Sequence, residues 1–263
     1  MAPNRILRDD QIASYRRDGF LVAPPPIVPM QEVHEVRART DLLCSDWVNL
    51  PKRRANGKGR KPSEERTISE ILGAAVIDPD LGRLPLVQRC RTIACELLGV
   101  SRVWFHFDHV FYKQVGDESR VPWHQDRASS PTGLATKAVH FWIPLQDVSE
   151  ANGCMRYIPG SQSRGLQDHR VAARSDGVVI RSTVVDEREA KACPVAVGGL
   201  ICHTPMTLHA SGPNLSQDIR RAWVLQMGVG PWVALRQTVR PIQSAYARAQ
   251  VTAARRRFLT PAS

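Results

Sequence analysis

His124 and Asp126 stand one residue apart in the segment VPWHQDRASS, residues 121–130. In an extended chain the side chains of residues i and i+2 point to the same face, so both groups can reach one metal ion while Gln125 points elsewhere. This geometry suits two neighbouring ligands of an octahedral metal. A His-x-Asp sequence arises often by chance, so the pair alone is a weak indication of a metal site.

A third ligand has to come from a distant strand, and the segment HTPMTLHASGPN at 203–214 offers one. His209 follows an apolar run and precedes a Ser-Gly-Pro turn. Two imidazoles and one carboxylate on one face of a metal, with the opposite positions open, form the arrangement expected of a non-haem Fe(II) oxygenase. His203 competes for the third position, but Pro205 argues against a shared strand face for the two histidines. A zinc site, which more often has a tetrahedral ligand set, is the minority alternative.

Two arginines follow the turn after His209, in the segment IRRAWVLQM. We expect this segment to return as the neighbouring strand. Arg220 can then point into the cavity that holds the metal and bind a carboxylate through its planar guanidinium. Alternation along the strand directs Arg221 to the opposite face.

The remaining histidines are not expected to be ligands. In strand-like segments a histidine is more often a core or wall residue, and we expect this of His106, His109 and His140. We expect surface positions for His34 and His169.

The first hundred residues have the periodicity of helices. The segment DDQIASYRRDG predicts a short helix with Asp9 or Asp10 as its N-cap and an end at Asp18 and Gly19. Two further helices are predicted in MQEVHEVRARTDLLCSDWV and in LGRLPLVQRCRTIACELLG, the second closed by Gly99.

After Val100 the hydrophobic period changes to that of strands. RVWFHFDHVFYKQV alternates, and KAVHFWIPLQDV, CMRYIPG, PVAVGGLICHTP and RRAWVLQMGVG are further strand candidates. Helices followed by many short strands predict an α+β protein, mainly β, built on a sandwich or barrel. We expect residues 1–263 to form one domain, with a mobile basic loop at 51–66 and a basic C-terminal segment at 233–263. The loop is either a lid over the site or unstructured.

The composition is that of a soluble globular protein, with 43% hydrophobic and 23% charged residues. The apolar runs are too short for a membrane helix, and the charged N-terminus lacks the apolar core of a secretory signal. The six cysteines show no Cys-x-x-Cys spacing and are few for a disulfide framework. We therefore expect reduced thiols, a cytoplasmic location and no membrane partner.

The formal net charge is +11. The basic residues of 51–66 and of the C-terminal segment carry no interleaved aromatics of the kind that stack on bases, so we do not expect a nucleic-acid partner. The simplest interpretation is solvated surface charge. The positive field would also attract an acidic small-molecule substrate or cosubstrate.

Four segments taken together resemble the phytanoyl-CoA dioxygenase family of Fe(II)/2-oxoglutarate-dependent oxygenases, namely QIASYRRDGFLV, WHQD, NGCMRYIPGSQSRG and LHASGPNLSQDIRRA. The resemblance extends from Asp9 to Val229 and leaves the basic loop and the C-terminal segment unmatched. It implies a double-stranded β-helix (a jelly roll, as in cupins) flanked by N-terminal helices. One departure is Gln162 in PGSQ, where the family often has histidine. This departure affects the substrate contacts or the surroundings of the iron, not the iron ligands.

Matched position by position, the resemblance implies three iron ligands, which are His124, Asp126 and His209. Arg220 would pair with the C5 carboxylate of 2-oxoglutarate, and Ser211 would help to hold the same group. Gln125 and Trp142 match positions that line the cosubstrate pocket. The resemblance also favours oxygenation over halogenation, because some related halogenases have a small residue in place of Asp126.

The activity implied is oxidation of a C–H bond of a small-molecule substrate by Fe(II), 2-oxoglutarate and O₂, with release of succinate and CO₂. Hydroxylation is the default outcome, and desaturation, epoxidation or cyclisation are alternatives that depend on how the substrate lies. A hydroxylase of protein or nucleic acid would use the same three ligands. A cupin-like hydrolase or isomerase would keep them without needing Arg220, and a non-catalytic binding module would need neither.

Overall fold

The computed structural model describes residues 5–45, 55–58, 67–129, 137–173 and 179–230. The helices, in chain order, are α1 (Asp9–Asp18), α2 (Met30–Ser45), α3 (Ala74–Ile77) and α4 (Pro85–Leu98). The strands are β1 (Phe20–Ala23), β2 (Ala55–Lys58), β3 (Thr67–Leu72), β4 (Trp104–Lys113), β5 (Val121–His124), β6 (Lys137–Pro144), β7 (Met155–Tyr157), β8 (Arg170–Ala173), β9 (Val179–Ser182), β10 (Lys191–Cys193), β11 (Leu200–His203), β12 (His209–Ser211) and β13 (Arg220–Val229).

Helix α1 begins one residue away from where the sequence predicts. The N-cap is Arg8 and not Asp9 or Asp10, and the backbone N–H of Arg8 donates to the side-chain oxygen of Gln11 at 2.9 Å. The two aspartates instead occupy the first turn, where negative charge interacts favourably with the helix dipole. The predicted end of the helix is confirmed, because Gly19 follows it in the left-handed conformation with a φ of 81°.

The other predicted helices and strands are also present. Helix α4 begins at Pro85 and is closed by Gly99 in the left-handed conformation, as expected. Strands β4, β6, β7, β11 and β13 each lie within a segment that the sequence predicts to be a strand. The pattern switch after Val100 therefore locates these five strands, whereas β1, β2 and β3 of the larger sheet lie before it.

Two antiparallel sheets form the centre of the protein. The larger sheet has the strand order β1-β11-β6-β13-β4-β3-β2, and the smaller has the order β10-β7-β12-β5. A separate ribbon of β8 and β9 contacts β5. Apart from β2, β3 and β4, which are consecutive, neighbours in both sheets come from distant parts of the chain, as they do in a jelly roll.

The larger sheet is apolar on both faces. Its outer face packs on α1, α2 and α4 through a core cluster that includes Tyr15, Val36 and Ile93. Its inner face shares a second cluster with the smaller sheet, in which Trp142 lies with Tyr157. A sheet covered by helices on one face and by a second sheet on the other confirms the predicted α+β, mainly β fold, a double-stranded β-helix with N-terminal helices.

The basic stretch at 51–66 differs in part from the predicted loop. Ala55–Lys58 forms strand β2, which pairs with β3 at the edge of the larger sheet. The rest of this stretch and the basic segment at 233–263 lie outside the described residues. Within the ranges that are described, no helix is both long and apolar enough to cross a membrane.

A buried carboxylate ties the larger sheet to α3. The side chain of Asp108 accepts the backbone N–H of Ala75 at 2.9 Å and the indole N–H of Trp223 at 3.1 Å. All three residues are at most 1% exposed. Loss of the carboxylate would leave two N–H groups without their acceptor and away from water, which is strongly unfavourable.

We predict that Asp108→Ala lowers the free energy of unfolding by about 3 kcal/mol, measured by urea denaturation. Asp9→Ala is the control, because the Asp9 side chain is 89% exposed in its ion pair with Arg5. That substitution should change the free energy by no more than about 0.5 kcal/mol. Equal effects of the two substitutions would contradict the role given to Asp108.

Candidate metal centre and active site

A cavity of about 240 Å³ lies between the two sheets. The three predicted iron ligands line it, and so do Arg220, Ser211 and Trp142. The structure thus brings together six of the seven residues that the sequence singles out. The exception is Gln125, described below.

His124, Asp126 and His209 form a compact group. His209 and His124 are directly opposite each other on β12 and β5, and their ring centroids are 4.1 Å apart. The Nε2 atoms of His124 and His209 lie 3.5 Å and 3.7 Å from the carboxylate oxygens of Asp126. One ligand atom from each of the three residues lies within 4.8 Å of the other two, which suits a single metal ion.

Both ligand histidines are oriented by the same backbone contact. Nδ1 of His124 lies 2.9 Å from the carbonyl oxygen of Pro122, and Nδ1 of His209 lies 2.9 Å from that of Thr207. A carbonyl only accepts, so each Nδ1 carries the proton and donates it. The lone pair of each ring is then on Nε2, the atom that faces Asp126 and the metal position.

Asp126 is outside the strand that carries His124. Strand β5 ends at His124, and Asp126 begins a short 3-10 turn that extends to Ala128. Gln125 between them keeps an extended backbone, with φ −115° and ψ 128°. The side chains of His124 and Asp126 therefore meet as i and i+2 alternation predicts, although β5 itself ends at His124 and does not include Asp126.

Two histidines from the larger sheet bind the same carboxylate. Oδ2 of Asp126 lies 2.6 Å from Nδ1 of His140 and 3.2 Å from Nε2 of His203. The sequence interpretation missed this contact, because it treated His140 as a core or wall residue and His203 only as a rival ligand. No spacing in the sequence relates either residue to Asp126. The one signal is in the strand pattern, where His140 interrupts an apolar run and His203 ends one.

The charges of this group suit metal binding. Burial first, and then the neighbouring His124, lower the pKa of His209 well below its ordinary value. Burial alone would raise the pKa of Asp126, but the imidazoles of His209 and His140 outweigh it and hold that pKa well below its ordinary range. Both directions favour the forms that bind a metal ion, which are a neutral imidazole and an ionised carboxylate.

Arg220 lies at the start of β13 and is 2% exposed. Its guanidinium carbon is 5.5 Å from the centre of the Trp142 ring, a distance typical of a cation–π contact. Ser211 on β12 is 5% exposed and lines the same cavity. A buried guanidinium and a hydroxyl in one cavity are groups that can bind a carboxylate.

Lys113 stands opposite Arg220 on the neighbouring strand β4. It is 2% exposed, and its Nζ donates to the carbonyl oxygens of Ser119, at 2.9 Å, and of Gly212. Gly212 directly follows Ser211. Lys113 therefore holds the end of β12 against β4, which fixes the position of Ser211 relative to Arg220.

Arg221 points to the opposite face of the larger sheet, as predicted. Its Nε donates to Asp41 of α2 at 2.7 Å, and its Nη1 donates to the carbonyl of Ile219 at 3.0 Å. The side chain is 14% exposed. The two adjacent arginines thus serve different parts of the molecule, one in the cavity and one in the contact between the sheet and α2.

Gln125 has a different place from the one predicted, because it does not line the cavity. Its side-chain amide donates to the carbonyl oxygens of Gly165 and Met206 at 3.0 Å and 2.7 Å, and its oxygen accepts the N–H of Gln167 at 2.8 Å. The residue is fully buried. It therefore holds the segment around Gly165 close to the metal group and is not among the residues that line the cavity.

Gln162, which departs from the family pattern, also lies away from the metal group. Its Nε2 donates to the carbonyl oxygens of Arg16 and Arg17 at 3.2 Å and 3.0 Å. These carbonyls belong to the last turn of α1, where backbone acceptors have no partner within the helix. Gln162 therefore supplies a hydrogen-bond donor to the C-terminal end of α1.

The wall of the cavity formed by β3 and β4 is polar and aromatic. Nδ1 of His109 lies 2.8 Å from the carboxylate of Glu70. The His109 ring lies between the rings of Phe107 and Phe111, at centroid distances of 5.5 Å and 4.4 Å. His109 is thus a wall residue, as the sequence predicts. His34 is exposed as expected.

The family Phytanoyl-CoA dioxygenase (PhyH) matches residues 15–222 of this chain. The peroxisomal phytanoyl-CoA dioxygenase of Homo sapiens is 31% identical over 233 residues, which cover 83% of this chain and 68% of the human protein. A probable phytanoyl-CoA dioxygenase of Caenorhabditis elegans is 23% identical over 232 residues, which cover 82% of this chain and 74% of that protein.

Among solved structures, EvdO2 from Micromonospora carbonacea var. aurantiaca complexed with 2-oxoglutarate is 26% identical, with a TM-score of 0.72 over 85% of this chain and 92% of that chain. EctD from S. alaskensis is 20% identical and shows the fold alone, with a TM-score of 0.69 over 87% of this chain and 79% of that chain. The matches confirm the family, the enzyme class and the cofactors expected from the sequence. The chain belongs to the phytanoyl-CoA dioxygenase family of Fe(II)/2-oxoglutarate-dependent oxygenases and is an enzyme of that class.

Proposed function

We propose that this enzyme uses Fe(II), 2-oxoglutarate and O₂ to hydroxylate a C–H bond of a small-molecule substrate. His124, Asp126 and His209 hold the iron, and Arg220 and Ser211 hold the far carboxylate of 2-oxoglutarate. The observation that carries the proposal is the presence of both groups in one cavity. A cupin-like hydrolase would need only the metal ligands, whereas a buried guanidinium beside them suits a dicarboxylate cosubstrate.

The donor set fits Fe(II), which accepts two imidazole nitrogens and one carboxylate on one face. Bound iron, with 2-oxoglutarate and O₂, supplies the oxidising chemistry. The chain itself orients the reactants. The backbone carbonyls of Pro122 and Thr207 aim the ligand histidines, and the apolar walls around Trp142 and Val224 keep water from the cavity. Because Asp126 occupies a ligand position that a halide would need, the site supports oxygenation over halogenation.

The size and charge of the cavity bear on the substrate. A volume of about 240 Å³ supports a small-molecule substrate. The net charge of +11 supports an acidic substrate. The carboxylate of Glu70 would repel an anionic group at the wall of β3 and β4. An acidic group of the substrate would therefore lie away from this wall.

We also propose that the chain folds as one domain and is located in the cytoplasm. The single-domain proposal is supported by the larger sheet, which contributes to both core clusters. The location is supported by the cysteines, all six of which are free thiols. Limited proteolysis and cell fractionation test these two points, and recovery with peroxisomes would overturn the second.

Loss of one metal ligand should abolish formation of the iron–cosubstrate complex. We predict that anaerobic wild-type protein with Fe(II) and 2-oxoglutarate shows a weak visible charge-transfer band, and that His124→Ala does not. The exposed His34 provides the control, since His34→Ala should leave the band unchanged. An unchanged band in His124→Ala would show that the metal lies elsewhere.

The two adjacent arginines allow a matched test of the cosubstrate anchor. We predict that Arg220→Ala raises the dissociation constant for 2-oxoglutarate about 100-fold, because a charged, two-pronged contact is lost. Arg221→Ala removes the same side chain from the opposite face and should change that constant by less than about threefold. Titration of the charge-transfer band measures both. Similar effects of the two substitutions would rule out Arg220 as the anchor.

The reaction outcome requires a substrate. Small molecules that stimulate succinate release can be found by screening, and the product is then examined by mass spectrometry. Hydroxylation adds one oxygen atom, whereas desaturation or ring closure removes two hydrogen atoms. A product without added oxygen would overturn the hydroxylase proposal and support the alternative outcome.

A further inference from the structure

The carboxylate of Asp126 has its two oxygens in different surroundings. Oδ2 lies 2.6 Å from Nδ1 of His140 and 3.2 Å from Nε2 of His203. Oδ1 is the oxygen that lies 3.5 Å from Nε2 of His124. Oδ2 is thus hydrogen-bonded by the larger sheet and also lies 3.7 Å from Nε2 of His209, whereas Oδ1 is the oxygen nearest to Nε2 of His124.

The two histidines that bind Oδ2 are fixed by the sheet itself. His140 and His203 are directly opposite each other on the adjacent strands β6 and β11. They are 5% and 2% exposed, and their ring centroids are 5.3 Å apart. Two buried rings on neighbouring strands have little freedom to move, so the nitrogen atoms that they present to Asp126 have defined positions.

Hydrogen bonding defines which nitrogen of each ring carries the proton. The hydroxyl of Tyr157 lies 3.1 Å from Nδ1 of His203. A carboxylate oxygen only accepts, so Nε2 of His203, 3.2 Å from Oδ2, carries the proton and donates to Asp126. Nδ1 of the same ring then accepts from the Tyr157 hydroxyl. For His140 the nitrogen beside the carboxylate is Nδ1, and two lone pairs would repel each other at 2.6 Å, so Nδ1 carries a proton.

A second metal position is an alternative explanation for this group. His140, His203 and Asp126 have ligand atoms close enough together to hold an ion. Two neighbouring ligands at about 2.1 Å from a metal are about 3 Å apart, however. The separation of 2.6 Å between His140 and Asp126 is shorter than this and is that of a charge-assisted hydrogen bond.

We propose that His140 and His203 are positioning residues that hold Oδ2 of Asp126, so that the carboxylate meets the metal through Oδ1 alone. The inference rests on the proposed function, because it concerns the same three metal ligands. A carboxylate bound through one oxygen leaves more coordination positions open for 2-oxoglutarate and O₂ than one bound through both. Partners of this kind, beyond the ligands themselves, typically change metal affinity 10- to 100-fold when removed.

The structure distinguishes the two histidines by the nitrogen that each one uses, and amide side chains can copy either nitrogen. The amide nitrogen of asparagine is as many bonds from Cα as Nδ1 of histidine, and that of glutamine matches Nε2. His140→Asn and His203→Gln therefore keep a donor at the required position, whereas His140→Gln and His203→Asn misplace it.

The experiment measures the dissociation constant of Co(II) alone, from its visible absorption, for the wild type and the four variants. We expect His140→Asn and His203→Gln to stay within about threefold of the wild type, and the two misplaced variants to bind about 10- to 100-fold more weakly. The exposed His34→Asn serves as the control for loss of a histidine far from the site. Urea denaturation of each variant checks that it is folded.

A second measurement needs no substitution. Long-range ¹H–¹⁵N correlation spectra of the metal-free wild type identify the protonated nitrogen of each histidine ring. We expect the proton on Nδ1 in His140 and on Nε2 in His203. The opposite assignment in either ring would overturn the inference, even if every variant failed to fold.

The possible outcomes separate this inference from the proposed function. If the wild type binds neither Co(II) nor 2-oxoglutarate, the proposed function fails. If the wild type binds both, the proposed function stands. If all four variants then bind Co(II) with the same affinity, whether high or low, His140 and His203 are not positioning residues. Only the selective pattern, with asparagine tolerated at 140 and glutamine at 203, supports the inference.

Discussion

Asp126 is a half-buried carboxylate between two β-sheets, and the surrounding imidazoles hold its pKa well below the ordinary range. Removal of an isolated carboxylate from water is highly unfavourable, and N–H donors at hydrogen-bond distance offset the loss. His140 and His203 from the larger sheet contact it, and His124 and His209 from the smaller sheet approach it within 3.7 Å. Because these groups come from both sheets, the sheets must close in one register to accommodate the charge.

Strand β13 separates the chemistry of the cavity from the packing of the helices. It pairs with β4 on one side and β6 on the other along almost its whole length, so its side chains alternate between two fixed faces. Arg220 and Ala222 face the cavity side, while Arg221 and Trp223 contribute to contacts on the helix side. One strand therefore carries the proposed cosubstrate anchor on one face and core residues on the other, so each face can vary without changing the other.

Much of this arrangement could be predicted from the sequence. The order of helices and strands follows from periodicity, and the ligand group follows from His-x-Asp, His209 and the family resemblance. The contacts of His140 and His203 could not be predicted, because strand pairing across the larger sheet brings distant segments together without any spacing rule. Gln125 was misplaced for a related reason. The family resemblance implied a place at the cosubstrate pocket, whereas its buried amide is satisfied by backbone groups of two distant segments.

The strand order of the larger sheet also bears on how such an enzyme can change during evolution. His140 and His203 lie on β6 and β11, whereas Glu70 and His109 lie on β3 and β4, on the other side of β13. Substitutions on β3 and β4 alter this wall of the cavity without changing the strands β6 and β11 that contact Asp126. Substrate preference can therefore diverge among descendants of this chain while their oxidising centre is inherited intact.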